Sequence, residues 1–101
     1  MPTIFEYLGI IVKFWSDEHY PIHVHAFYAD AEIKVEIILK DKEIIQIKYL
    51  DIGKNKFTPA KRSQLEKLVE SKKEEIVKLW IKFFVYQQRI RKKVITAKDL
   101  K

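Results

Sequence analysis

The run AEIKVEIILK at residues 31–40 decides the fold. Its apolar side chains Ile33, Val35 and Ile37 alternate with charged ones, which predicts a strand with one buried face. Residues 43–50 are again rich in β-branched side chains and indicate a hairpin with that strand. The segment upstream of the run has stretches of the same alternation. We therefore expect an antiparallel meander in the first half of the chain.

The second half of the chain changes to a helical period. Thr58-Pro59 is typical of a helix start, with threonine as the N-cap and proline in the first turn. Ser71 and Glu74 have the spacing of a capping box, which predicts that a second helix begins there. The apolar stripe of that helix includes Trp80 and is expected to cover the sheet.

These patterns predict a single α+β domain over residues 1–101. An antiparallel β-meander of three to five strands is expected within residues 1–52. Two C-terminal helices within residues 58–92 are expected to pack on one face of the sheet. Residues 93–101 are expected to form a polar tail.

The composition is that of a globular domain without disulfides. Hydrophobic residues make up 48% of the chain, which has only two glycines and three prolines, and this excludes a disordered low-complexity protein. There is no cysteine, so any metal would need histidine, carboxylate or water ligands. No apolar stretch approaches the roughly 20 residues that span a bilayer. We expect a cytoplasmic protein that does not enter a membrane.

The net charge of +6 is concentrated in the second half of the chain. Residues 1–50 carry five lysines against eight acidic residues, whereas residues 51–101 carry fifteen lysines and arginines against six. A basic surface of this kind can contact RNA phosphates, dock an acidic protein, or simply be a solvated helical surface. The candidate phosphate or partner contacts are Lys72, Lys73, Arg89, Arg91, Lys92 and Lys93.

All three histidines fall within residues 19–25. His23 and His25 are two apart, so a strand would place them on one face, while Pro21 sets His19 apart in a turn. Imidazole is the commonest metal ligand and the side chain best suited to proton transfer near neutral pH. Three histidines around an open fourth position can hold catalytic zinc, so His19, His23 and His25 are one candidate ligand set.

A second hypothesis uses His23 and His25 as the acid and base of a ribonuclease. A two-residue turn at Asp30-Ala31 would place them on the face away from the apolar side chains, with Glu36 beside His25. Glu36 would then orient His25 and raise its pKa. A three-residue turn would reverse the faces and bury the pair as hydrogen-bonded core residues. A purely structural role is thus the third alternative.

The order Asp-Glu-His-Tyr-Pro-Ile-His-Val-His at residues 17–25, with the start Met-Pro-Thr-Ile and the strand that follows, resembles a small bacterial domain family of unknown function. Members usually show Asp-His-x-Pro-Pro-His-Phe-His ahead of an alternating strand. Glu18 and Ile22 depart from that pattern, whereas His23 and His25 match it.

Members of that family have been classed as DhiT-like toxins of type II toxin-antitoxin pairs. The resemblance implies a cytoplasmic, toxin-like protein with a cognate small protein partner similar to an antitoxin. Our functional hypothesis is such a toxin, acting as a ribonuclease through His23 and His25. The alternatives are a noncatalytic module that binds protein or nucleic acid and a zinc-binding domain. Homo-oligomers are compatible with each of them.

Overall fold

The computed structural model describes residues 3–14, 21–86 and 92–100. Its strands and helix are β1 Thr3–Tyr7, β2 Ile10–Lys13, β3 Ile22–Tyr28, β4 Ala31–Lys40, β5 Glu43–Ile52, α1 Pro59–Trp80 and β6 Lys93–Val94. The strands form one sheet in the order β5-β4-β3-β2-β1-β6. Neighbouring strands are antiparallel except β6, which runs parallel to β1.

The predicted α+β class is confirmed, but the predicted meander with two helices is wrong. β6 adds a sixth strand and makes the sheet mixed, in the segment expected to be a polar tail. Ile95 anchors this strand, because its side chain is buried and its amide donates to the carbonyl of Glu6 at 2.8 Å. A two-residue strand among lysines has no periodicity that a sequence pattern could detect.

The helix α1 is continuous through Ser71, where a second helix was expected to begin. No glycine or proline occurs in residues 60–86. Since extending a helix is easier than nucleating a new one, the capping-box residues remain inside α1. A π-helical segment, Ile81–Val85, continues it. Among the described residues, no helix is long and apolar enough to cross a membrane.

The apolar stripe of α1 packs on one face of the sheet, as predicted. Val24 of β3 and Val35 of β4 are fully buried in the same core as the helix. The π-helical segment adds Phe83 and Phe84, whose rings lie 6.0 and 5.6 Å from the ring of Phe14. The buried residues of α1 are Leu65, Leu68, Val69, Ile76 and Trp80.

The continuous helix predicts different effects of removing its two candidate caps. The Thr58 hydroxyl accepts from the amide of Lys61 at 3.2 Å, so Thr58→Ala should lower the free energy of unfolding by about 1 kcal/mol. Ser71→Ala should leave it unchanged or raise it by about 0.5 kcal/mol, because alanine is the better helix former. Urea unfolding measures both. An equal loss in the two variants would contradict a single helix.

Candidate functional site

The turn between β3 and β4 sets which residues face the histidines. It consists of Ala29 and Asp30, so Tyr28 lies opposite Ala31. Ala29 has a φ of 52°, which residues other than glycine seldom adopt. The turn therefore has the expected length of two residues, but it begins one residue before the expected position at Asp30-Ala31.

This displacement moves every partner by two positions and leaves the faces unchanged. His25 lies opposite Lys34, and His23 lies opposite Glu36. The prediction that Glu36 stands beside His25 is wrong. The Glu36 carboxylate instead contacts the ammonium of Lys34, with 3.3 Å between Oε2 and Nζ.

Both histidines of β3 lie on the sheet face opposite to α1. Val24 and Ala26 alternate with them and belong to the core under the helix. β3 is an interior strand between β2 and β4, so the histidines are not at the sheet edge. Only 5% of His23 and 9% of His25 is exposed. The pair is thus shielded from bulk water although it lies outside the helix-covered core.

A short hydrogen bond holds the ring of His25. Its Nδ1 lies 2.6 Å from Oε2 of Glu32. Glu32 is opposite Phe27 in the register, two positions along from His25, so its side chain reaches diagonally across the strands. The ring of Phe27 stacks on the ring of His25, with 6.4 Å between the ring centroids and 23° between the ring planes. The carboxylate fixes the orientation of the imidazole.

A backbone carbonyl holds the ring of His23 in a similar way. Its Nδ1 donates to the carbonyl oxygen of Pro21 at 2.9 Å. Since a carbonyl can only accept, Nδ1 carries the hydrogen, and Nε2 is the basic nitrogen of the neutral ring. The rings of His23 and His25 are 5.6 Å apart, edge to face. The two imidazoles therefore form one site.

Burial lowers the pKa of His25 from its ordinary value. Glu32 opposes this by its hydrogen bond and its charge, while His23 and Lys34 add smaller lowering effects. Because desolvation dominates, the ring of His25 is neutral at pH 7. A neutral imidazole whose Nδ1 donates to a carboxylate can accept a proton at Nε2.

The histidine pair lies inside a segment that matches a known family model. Residues 9–81, most of the chain, match the model described as Domain of unknown function (DUF4160). The chain belongs to the DUF4160 family. This confirms the predicted membership of a small domain family of unknown function. No curated protein and no solved structure matches the chain significantly.

Glu32 is the residue of this DUF4160 site that sequence reasoning missed. It alternates with Ile33 as Lys34 and Glu36 alternate with the other apolar residues of this strand, so the sequence predicts that its side chain lies on the face of the histidines. The neighbours of His25 depend on where the turn begins: the observed turn puts Lys34, in place of Glu36, opposite His25 and brings Glu32 to a diagonal position.

The zinc hypothesis for the DUF4160 domain stays a prediction. Across residues 3–14, 21–86 and 92–100, no group of three or more His, Asp or Glu side chains is arranged to hold a metal ion. His19, the third member of the predicted ligand set, lies outside the described residues. The described part of the site is therefore the pair His23 and His25 with Glu32.

The four predicted basic contacts that the structure describes in the DUF4160 domain do not gather around the histidines. Two of them belong to α1, on the other side of the sheet, and two lie in or beside β6, three strands away from β3. They are Lys72, Lys73, Lys92 and Lys93, with Arg89 and Arg91 outside the described residues. Among the described residues, any cation that acts next to the histidines is therefore a different one.

The pKa of His25 should respond differently to the loss of Glu32 and to the loss of Glu36. Glu32→Gln should lower it further, because the carboxylate favours the charged imidazole by hydrogen bond and charge. Glu36→Gln is the matched control on the same strand and face, and it should change the pKa less, because Glu36 contacts Lys34. NMR titration of the ring protons measures both. A larger change in the Glu36 variant would contradict this pairing.

Proposed function

We propose that this chain is the toxin-like member of a type II toxin-antitoxin pair and that it cleaves RNA by acid-base catalysis at His23 and His25. The observation that carries the proposal is the 2.6 Å bond between His25 and Glu32, next to a second imidazole on the same sheet face. A base held by a carboxylate beside a second proton carrier is what phosphodiester cleavage requires.

The reaction needs only the RNA and the two imidazoles. The neutral His25 takes the proton of a 2′-hydroxyl, whose oxygen attacks the adjacent phosphorus. The bond from phosphorus to the 5′-oxygen breaks, and protonated His23 gives its proton to that oxygen. The products are a 2′,3′-cyclic phosphate and a 5′-hydroxyl. Glu32 stabilises the positive charge that His25 acquires.

Fold stability alone gives no reason to bury this pair. Burying polar side chains costs free energy that their hydrogen bonds only offset, and apolar side chains of similar volume would avoid that cost. The histidines and Glu32 nevertheless occupy a shielded part of the sheet face opposite the core. Charge interactions are stronger in such surroundings than in water, and perturbed titratable groups gather at catalytic sites.

The proposal includes a partner protein. β5 is ten residues long, forms an edge of the described sheet and exposes Ile45, Leu50 and Ile52. An edge strand of this kind can accept a further strand through backbone hydrogen bonds. The net charge of +6 lies mainly outside β5, in residues 51–101, so we propose a small, antitoxin-like partner that binds this edge through backbone hydrogen bonds and apolar contacts. Coexpression with the product of the neighbouring gene should then relieve growth arrest caused by this chain alone.

Cleavage of a short RNA by the purified protein tests the catalytic proposal. His25→Gln and His23→Gln should each reduce the rate about 10² to 10⁴-fold, as loss of a general base or acid does. Glu32→Gln should also slow cleavage, whereas Glu66→Gln, the same change on α1, should not. A 2′-deoxy substitution at the scissile nucleotide should abolish cleavage. Wild-type protein that leaves RNA intact, or cleavage unaffected by the histidine substitutions, would contradict the proposal.

The same preparation separates the zinc and noncatalytic alternatives. Acid-base cleavage should continue in EDTA, because the proposed reaction uses no metal. Calorimetric titration with zinc should give no binding that depends on His23. Zinc binding that disappears in His23→Ala, together with loss of cleavage in EDTA, would favour a metal site. RNA binding without cleavage would favour a binding module.

A further inference from the structure

Two lysines flank His25 on the neighbouring strands. Lys13 of β2 lies opposite His25 on one side, and Lys34 of β4 lies opposite it on the other. Residues directly opposite in adjacent strands point to the same face, so both lysines share the face of the histidines. The α-carbons of the lysines are separated by two strand spacings, about 10 Å.

We infer that Lys13 and Lys34 form a clamp that binds a phosphate group over His25. This inference rests on the proposed function, because it supplies the contacts that hold a phosphodiester for cleavage. A lysine ammonium has three donors on a flexible stem, and two of them on opposite sides of one point can grip the non-bridging oxygens of a phosphate. The charge of the clamp would also stabilise the negative charge that develops during attack.

Each lysine is already directed by a neighbour in the structure. The ammonium of Lys13 lies 5.4 Å from the centre of the Phe27 ring, in the row next to His25. The ammonium of Lys34 contacts Glu36 at 3.3 Å, and its side chain is 26% exposed. Both lysines are half-buried, whereas the histidine between them is buried. A phosphate can therefore reach the ammonium groups at the surface of the site.

The two carboxylates of β4 on this face affect the clamp differently. Glu32 accepts from His25, and Glu36 contacts Lys34. Glu36 therefore competes with a phosphate for the Lys34 ammonium. Removing its charge should release Lys34 and tighten phosphate binding, which is opposite to the effect of removing a lysine.

Titration of the full chain with inorganic phosphate, and with a 2′-deoxy dinucleoside monophosphate that cannot be cleaved, tests the clamp by NMR. Lys13→Gln and Lys34→Gln should each raise the dissociation constant about tenfold, the size of a lost charge-assisted hydrogen bond. Glu36→Gln should lower it. The matched control Lys67→Gln, on α1, should change it less than about twofold, because bulk salt screens a distant charge.

Two outcomes would overturn the clamp: equal effects of Lys13, Lys34 and Lys67 substitutions, or weaker binding in Glu36→Gln. The cleavage assay distinguishes failure of the clamp from failure of the proposed function. Phosphate binding that depends on both lysines, with no RNA cleavage by the wild type, would sustain the clamp and reject the ribonuclease. The clamp alone would be rejected if cleavage depends on His25 while substitution of either lysine changes neither the KM for RNA nor the dissociation constant for phosphate.

Discussion

The pairing of β3 with β4 is the constraint on which the rest of the structure depends. Strand side chains alternate, so a slip of one residue would carry Val24 and Ala26 out of the core and put His23 and His25 under the helix. That exchange would bury polar rings among apolar side chains and place aliphatic ones beside the charged side chains of Lys34 and Glu36. The same register brings Glu32 within hydrogen-bonding distance of His25. Core packing and the candidate chemistry therefore rest on one alignment.

The bond between His25 and Glu32 links that alignment to function. Desolvation alone would make the imidazole a weak base, because the charged ring would have no compensation for lost water. The carboxylate restores part of the basicity and keeps the proton on Nδ1. His23 receives the same ring orientation from the carbonyl of Pro21. The strand thus presents two oriented imidazoles whose surroundings differ, and such a difference is what separate acid and base roles require.

Local sequence patterns predicted much of this fold, but they did not predict strand pairings between residues far apart in the chain. The alternation of Ile33, Val35 and Ile37 identified β4 and its buried face, because that signal repeats along ten residues. The predicted turn position was wrong, since Ala29 adopts a positive φ that is rare for alanine and that the sequence does not indicate. The sixth strand depends on pairing with β1 across the whole chain. At Ser71 a local capping signal was overridden by the uninterrupted helix on both sides.

The turn at Ala29-Asp30 sets the register of the histidine strand, and the geometry of the whole site depends on it. Interstrand contacts between α-protons, observed by NMR on the full chain, measure that register directly. A turn at Ala29-Asp30 predicts contacts from the pairs Val24 with Val35 or His25 with Lys34. Contacts that join Val24 to Ile37 or His25 to Glu36 would contradict it.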